Sequence, residues 1–233
     1  LFAVLALIGV VSMIGGLLLQ ETIPSRYTGT VAQSIRRLGT VLKNPNFTSL
    51  LIVFSLVSAA SLAFVSASSY IYQEEFGLSE QSYSFYFALN AVGLIAGPLL
   101  YLWLSRHISR RTIVTSGFTA VIGGGLLVCF FGNMGPLIFA LALFPASLMG
   151  SSVRPLGAFL MLDQQKEDTG SASALINCSG LVFGSAGMVL VFLNGGNLVF
   201  SLGAINVAVG VVCLLGWTAI GRRGLVTLST TPD

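Results

Sequence analysis

The chain has 233 residues, of which 55% are hydrophobic and only 8% charged, with a formal net charge of +3. Soluble domains carry about 25% charged residues, so this composition excludes an ordinary soluble enzyme or binding module and defines an integral membrane protein. The charge is too small and too dispersed for nucleic-acid binding.

Charge-free runs cover Leu1–Gln20, Asn44–Gln73, Gln81–Ser105, Thr112–Val153 and Thr169–Gly221. About 20 apolar residues suffice to cross the hydrocarbon of a bilayer. The first run is longer than a secretory signal core of about 7 to 15 residues, and it has no basic start and no initiator Met. It reads as a spanning helix over 1–19, in a chain that begins mid-protein. A basic connection over 20–45 follows, with Arg26, Arg36, Arg37 and Lys43. Within it Val31, Ile35, Leu38 and Leu42 recur at helical spacing, which suits either a short helix lying on the inner membrane surface near anionic lipid or a solvated linker.

Spans are then expected over 46–71, 82–105, 112–131, 136–161, 170–193 and 198–220, a six-helix bundle over 46–220. The two longest runs are cut by turn-residue clusters, FGNMGP at 131–136 and LNGGN at 193–197. The connections alternate in character. Glu74, Glu75 and Glu80 follow the 46–71 span, whereas Arg106, Arg110 and Arg111 follow the next. Asp163, Lys166, Glu167 and Asp168 lie before 170, and Arg222 and Arg223 open the tail over 221–233. Positive-inside bias puts the start of the chain outside and its end in the cytoplasm. The fold class is therefore all-α, seven transmembrane helices; barrel strands would need about ten-residue alternating segments.

Polar and small residues gather on helix faces, taking about 100° per residue. Ser55, Ser58, Ser61, Ser66, Ser68 and Ser69 share an arc of one helix, and Tyr83, Tyr86, Asn90, Gly93, Gly97 and Tyr101 form a stripe on the next. Ser147, Gly150, Ser151, Arg154 and Ala158 share a side of the 136–161 span, directing Arg154 into the bundle. Ser173, Asn177, Gly180, Gly184 and Gly187, and then Gly203, Asn206 and Gly210, repeat the pattern. Such faces serve helix packing or a solute cavity. On the second reading, Ser58, Ser61, Tyr86, Asn90, Ser147, Ser151, Arg154 and Asn177 are the solute-contacting residues. Arg154 is costly in a span, roughly 2.5 to 3.5 kcal/mol on insertion scales. It either ties down carbonyls or pairs with a loop acid such as Asp163, or else lines a solute pathway; Pro155 adds a freed carbonyl at Ser151. Cys129, Cys178 and Cys213 lie in apolar runs and are odd in number, which argues against a disulfide framework or zinc site. No cofactor motif is present.

Several stretches resemble the major facilitator superfamily of secondary transporters, and within it the bicyclomycin-resistance-like drug:proton antiporters. QETIP at 20–24 is similar to the end of that family's sixth helix, and the basic segment from Arg26 to Lys43 to its central cytoplasmic loop. RPLGAFLMLDQQKEDTGSASALIN at 154–177 resembles its tenth-to-eleventh helix junction, and FLNGGN at 192–197 its last outer turn. LWLSRHISRR at 102–111 keeps Arg110 and Arg111 of the family's loop motif, but Leu102 and Ser109 stand for its glycines and Arg106 for its aspartate.

The resemblance implies one leftover helix plus the C-terminal half of a twelve-helix carrier, in the plasma membrane of a bacterium, with an N-terminal half missing from this chain. It implies a small-molecule solute site between halves, alternating access, and export driven by protons. Every Asp and Glu here lies in a predicted loop or tail, so a coupling acid belongs to the absent half. A metabolite carrier of the same fold and a seven-helix receptor are the alternatives. No lysine occurs in the spans to bind retinal, and no His-Glu-x-x-His or intramembrane acid pair supports an enzyme.

Overall fold

The computed structural model describes residues 2–18, 30–166, 168–193 and 196–222. The QETIP stretch, Arg26, Glu167, Asn194 and Gly195 of LNGGN and the tail from Arg223 onward lie outside the described residues. The chain divides into two units, Leu1–Ser34 and Ile35–Asp233. The first holds α1 (Phe2–Leu18), an apolar helix without buried residues, and the first turn of α2 (Val31–Leu42).

Among the described residues of the second unit, six helices are long and apolar enough to cross a membrane. They are α3 (Pro45–Tyr70), α4 (Glu80–Leu104), α5 (Arg110–Phe131), α6 (Pro136–Asp163), α7 (Thr169–Leu190) and α8 (Leu198–Arg222). The all-α class expected from the sequence holds, and each start has a local cause. Asn44 caps α3, its side-chain oxygen accepting from the amides of Asn46 and Phe47, with Pro45 at the first helical position. Ser79, Ser109 and Asp168 accept from Ser82, Thr112 and Ser171 at the starts of α4, α5 and α7. Gly135, at a φ of 150° that disfavours side chains, leads into Pro136 at the start of α6.

One boundary differs from expectation. Residues Ile71–Glu75 do not form a loop but continue α3 as a π-helical turn, carrying Glu74 and Glu75 on the helix end. Ile71 and Tyr72 of the widened turn are fully buried, Tyr72 between the rings of Tyr86 and Phe139. In α2, Val41 is buried against the bundle, whereas Ile35 and Leu42 are exposed.

Packing is pairwise and dense. α3 contacts α7, α8 and α6; α5 contacts α8 and α6; α4 lies on α6. Phe54 meets Phe118 and Trp217 at 5.9 Å in one apolar cluster, and Phe64, Tyr72 and Phe139 anchor another toward the acidic end. Glycines let the backbones approach: Gly187 of α7 lies against the carbonyl of Ala59, and Gly125 and Gly203 face each other between α5 and α8. α4 and α7 leave much apolar surface uncovered, with Ile95 71% and Leu181 65% exposed.

Candidate functional site

α3 is the floor of the site. Its serines point to different neighbours, because helices that cross at an angle carry one stripe past several partners. α6 and α7 both lean on α3 but scarcely touch each other, so a cleft opens between them. It has a volume of about 440 Å³. Phe54, Ser55, Ser58 and Leu62 come from α3, Arg154, Ala158 and Met161 from α6, and Ile176, Asn177, Gly180 and Leu181 from α7.

Arg154 therefore does not point into the bundle, as its stripe suggested. Its side chain is exposed and faces the open cleft. The reason is that the α6 stripe splits: Ser147 and Ser151 turn toward α4, whereas Arg154 and Ala158, a turn further on, reach the edge beside α7. The expected tie to a loop acid is also absent among the described residues, since Asp163 pairs with Lys166 at 3.0 Å. Arg154 has no hydrogen bond or ion pair among the described residues.

Of the residues singled out in sequence, Ser58, Arg154 and Asn177 come together on the cleft. Asn177 donates from Nδ2 to the Ser173 carbonyl at 3.0 Å, which fixes its rotamer and leaves its side-chain oxygen available. The others lie elsewhere. Asn90 is fully buried; its Nδ2 donates to the Ala140 carbonyl at 3.5 Å, and its Oδ1 accepts from Ser147 Oγ at 3.4 Å. Ser151 Oγ donates to the Gly93 carbonyl at 3.3 Å. These three clamp α4 to α6. Ser61 and Ser147 border a central void of about 20 Å³ with Asn206, room for about one water. Tyr86 stacks on Tyr72 with ring centroids 5.4 Å apart.

Sequence reasoning passed over Ser55, whose Oγ is buried with no partner, although it belongs to the serine arc already noted. It also passed over the apolar wall of Phe54, Leu62, Met161, Ile176 and Leu181, because such residues look like core or lipid-facing positions in any spanning helix. Among the described residues no cluster of His, Cys, Asp or Glu could hold a metal.

Among the described residues, six helices long and apolar enough to cross a membrane, with a cleft open between three of them, define a multi-pass membrane protein. The chain belongs to the Major Facilitator Superfamily, whose model matches residues 1–188. It is 27% identical over 228 residues to the uncharacterised MFS-type transporter YdgK of Bacillus subtilis (strain 168), an alignment covering 96% of this chain and 56% of that protein. The chain thus spans little more than half the length of that curated relative.

Proposed function

We propose that this chain supplies the C-terminal half, with the last helix of the N-terminal half, of a proton-coupled exporter of drug-like small molecules working by alternating access. The observation that carries this reading is the cleft between α6 and α7: polar on Ser58, Arg154 and Asn177, apolar on Phe54, Leu62 and Ile176, and large enough for a small organic solute. In the complete carrier the cleft faces the other half across a solute path near the bilayer midplane. The resemblance to bicyclomycin-resistance proteins supports the antiporter assignment and a bacterial plasma membrane. The basic connections support a cytoplasmic C-terminus, and Arg36, Arg37 and Lys43 suit α2 to the anionic inner leaflet of the lipid bilayer.

Coupling protons are carried by an acid outside this chain's spans. Glu74, Glu75, Glu80, Asp163 and Asp168 all sit at helix ends or in the connections between helices. Arg154 favours the ionised form of any acid that approaches it from the other half.

The test is flux. Full-length carrier in proteoliposomes, given a pH gradient of either sign and a panel of neutral, anionic and cationic aromatic solutes, should move at least one solute against its gradient. Arg154→Gln should slow that movement by about tenfold or more at unchanged protein level. Flux of no solute under either gradient, or full flux in Arg154→Gln, would contradict the reading.

A further inference from the structure

We infer that the solute class of this cleft is anionic: an amphipathic carboxylate whose charged end is held by Arg154, Ser55 and Ser58. This rests on the carrier reading above and deepens it.

The serines of α3 point to it. In an apolar medium a helical hydroxyl ordinarily donates back to a carbonyl one turn earlier. Ser49, Ser61, Ser66 and Ser68 do so, to the carbonyls of Pro45, Val57, Ala63 and Val65 at 2.7 to 3.4 Å. Ser69 instead accepts from Gln73 at 3.1 Å. Ser55 and Ser58 make no hydrogen bond among the described residues, and both line the cleft beside Arg154. Ser55 is only 4% exposed, so its orphaned Oγ is not simply solvated.

The unmet hydrogen-bonding capacity at this wall is thus one guanidinium and two hydroxyls, with the side-chain oxygen of Asn177 as its one acceptor-only group among the described side chains. No Asp or Glu lines the cleft among the described residues. A guanidinium has donors and no acceptor, and its fork matches a carboxylate. Two hydroxyls free to donate extend that set. A cationic solute would meet an unscreened like charge and find no carboxylate to pair with. Phe54, Leu62, Met161 and Ile176 then cover the apolar body of the solute.

Three matched probes test the assignment: 2-naphthoate, 2-naphthamide and 2-naphthylmethylammonium, which share a ring system and differ in charge. Their binding to full-length carrier in lipid nanodiscs is read by naphthalene fluorescence. Naphthoate should bind about tenfold or more tightly than the amide, with the cation weakest. Arg154→Gln should erase the gap, Arg154→Lys should keep much of it, and Ser55→Ala and Ser58→Ala should each weaken naphthoate alone by a few fold. Equal binding of the three probes, preference for the cation, or a gap that survives Arg154→Gln in protein of unchanged melting temperature would overturn the assignment. So would loss of pH-dependent flux in Arg154→Gln without a change in probe preference, which would leave an acid of the other half as the sole partner of Arg154. The carrier reading fails separately. Gradient-driven flux of the amide or cation without naphthoate preference sinks only the anionic class, whereas naphthoate binding with no flux of any solute sinks the carrier.

Discussion

Gly97 and Gly180 lie on small-residue stripes that look alike in sequence, yet a methyl group added at each meets different surroundings. At Gly97 it would collide with Ser151 Oγ and come within 2.6 Å of the Leu148 carbonyl and 2.8 Å of the Ser152 amide, where α4 crosses α6. At Gly180 the nearest atom is Ser58 Oγ at 3.5 Å, an ordinary contact on the rim of the cleft. Gly97→Ala should therefore cost about 1–3 kcal/mol by overpacking, read as a lower melting temperature of the full-length carrier in detergent, while Gly180→Ala should leave it unchanged. Equal effects would mean that the α4/α6 contact is looser than described. The same distinction limits what the sequence reveals of the site. Ser58, Ser151 and Asn90 all sit on polar stripes, but only packing decides that Ser151 and Asn90 are spent between α4 and α6 while Ser58 lines the cleft.

At the scale of elements, the spans were legible because each long apolar run needs a helix of membrane length; the caps at Asn44, Ser79, Ser109 and Asp168, not read in the sequence, start the helices one or two residues before the expected 46, 82, 112 and 170. The π-helical turn at Ile71–Glu75 was not legible, since its wider bonding leaves no mark in a 3.6-residue pattern and the acidic residues looked like loop. At the end of this turn Glu75 is held so that its Oε1 accepts from the amide of Leu198 at 2.7 Å, capping the start of α8. Asn197 completes the junction, accepting from the Phe200 amide and donating to Asn133 Oδ1. A carboxylate on a helix N-terminus is worth about 1 kcal/mol. Glu75→Ala should thus speed hydrogen exchange at the first turn of α8 by roughly fivefold without altering exchange in α6. Unchanged exchange at Leu198 would show that the cap contributes nothing.

For the molecule as a whole, membership of the Major Facilitator Superfamily and the six-helix bundle explain why polar groups are distributed as they are. Lipid satisfies no hydrogen bond; glycines bring α5 and α8 together, with Asn206 of α8 against Gly125, and Asn90, Ser147 and Ser151 are used in mutual contacts of α4 and α6, while among the described residues Ser55, Ser58 and Arg154 stay unpartnered where α6 and α7 part, as the Tyr72 and Ser201 hydroxyls do away from the cleft. Chain length also sets what could be read: this sequence spans 56% of its Bacillus subtilis relative, so it matches little more than half of that protein.

The central claim, that the α3/α6/α7 cleft is the solute path, is tested most directly by cysteine accessibility. In full-length carrier with Cys129, Cys178 and Cys213 replaced, Ser58→Cys and Asn177→Cys should react with a membrane-impermeant maleimide, and solute should slow that reaction; Ser151→Cys and Asn90→Cys, buried between α4 and α6, should not react. Labelling of Ser151→Cys with protection of Ser58→Cys, in solute-free protein that remains folded, would contradict the claim.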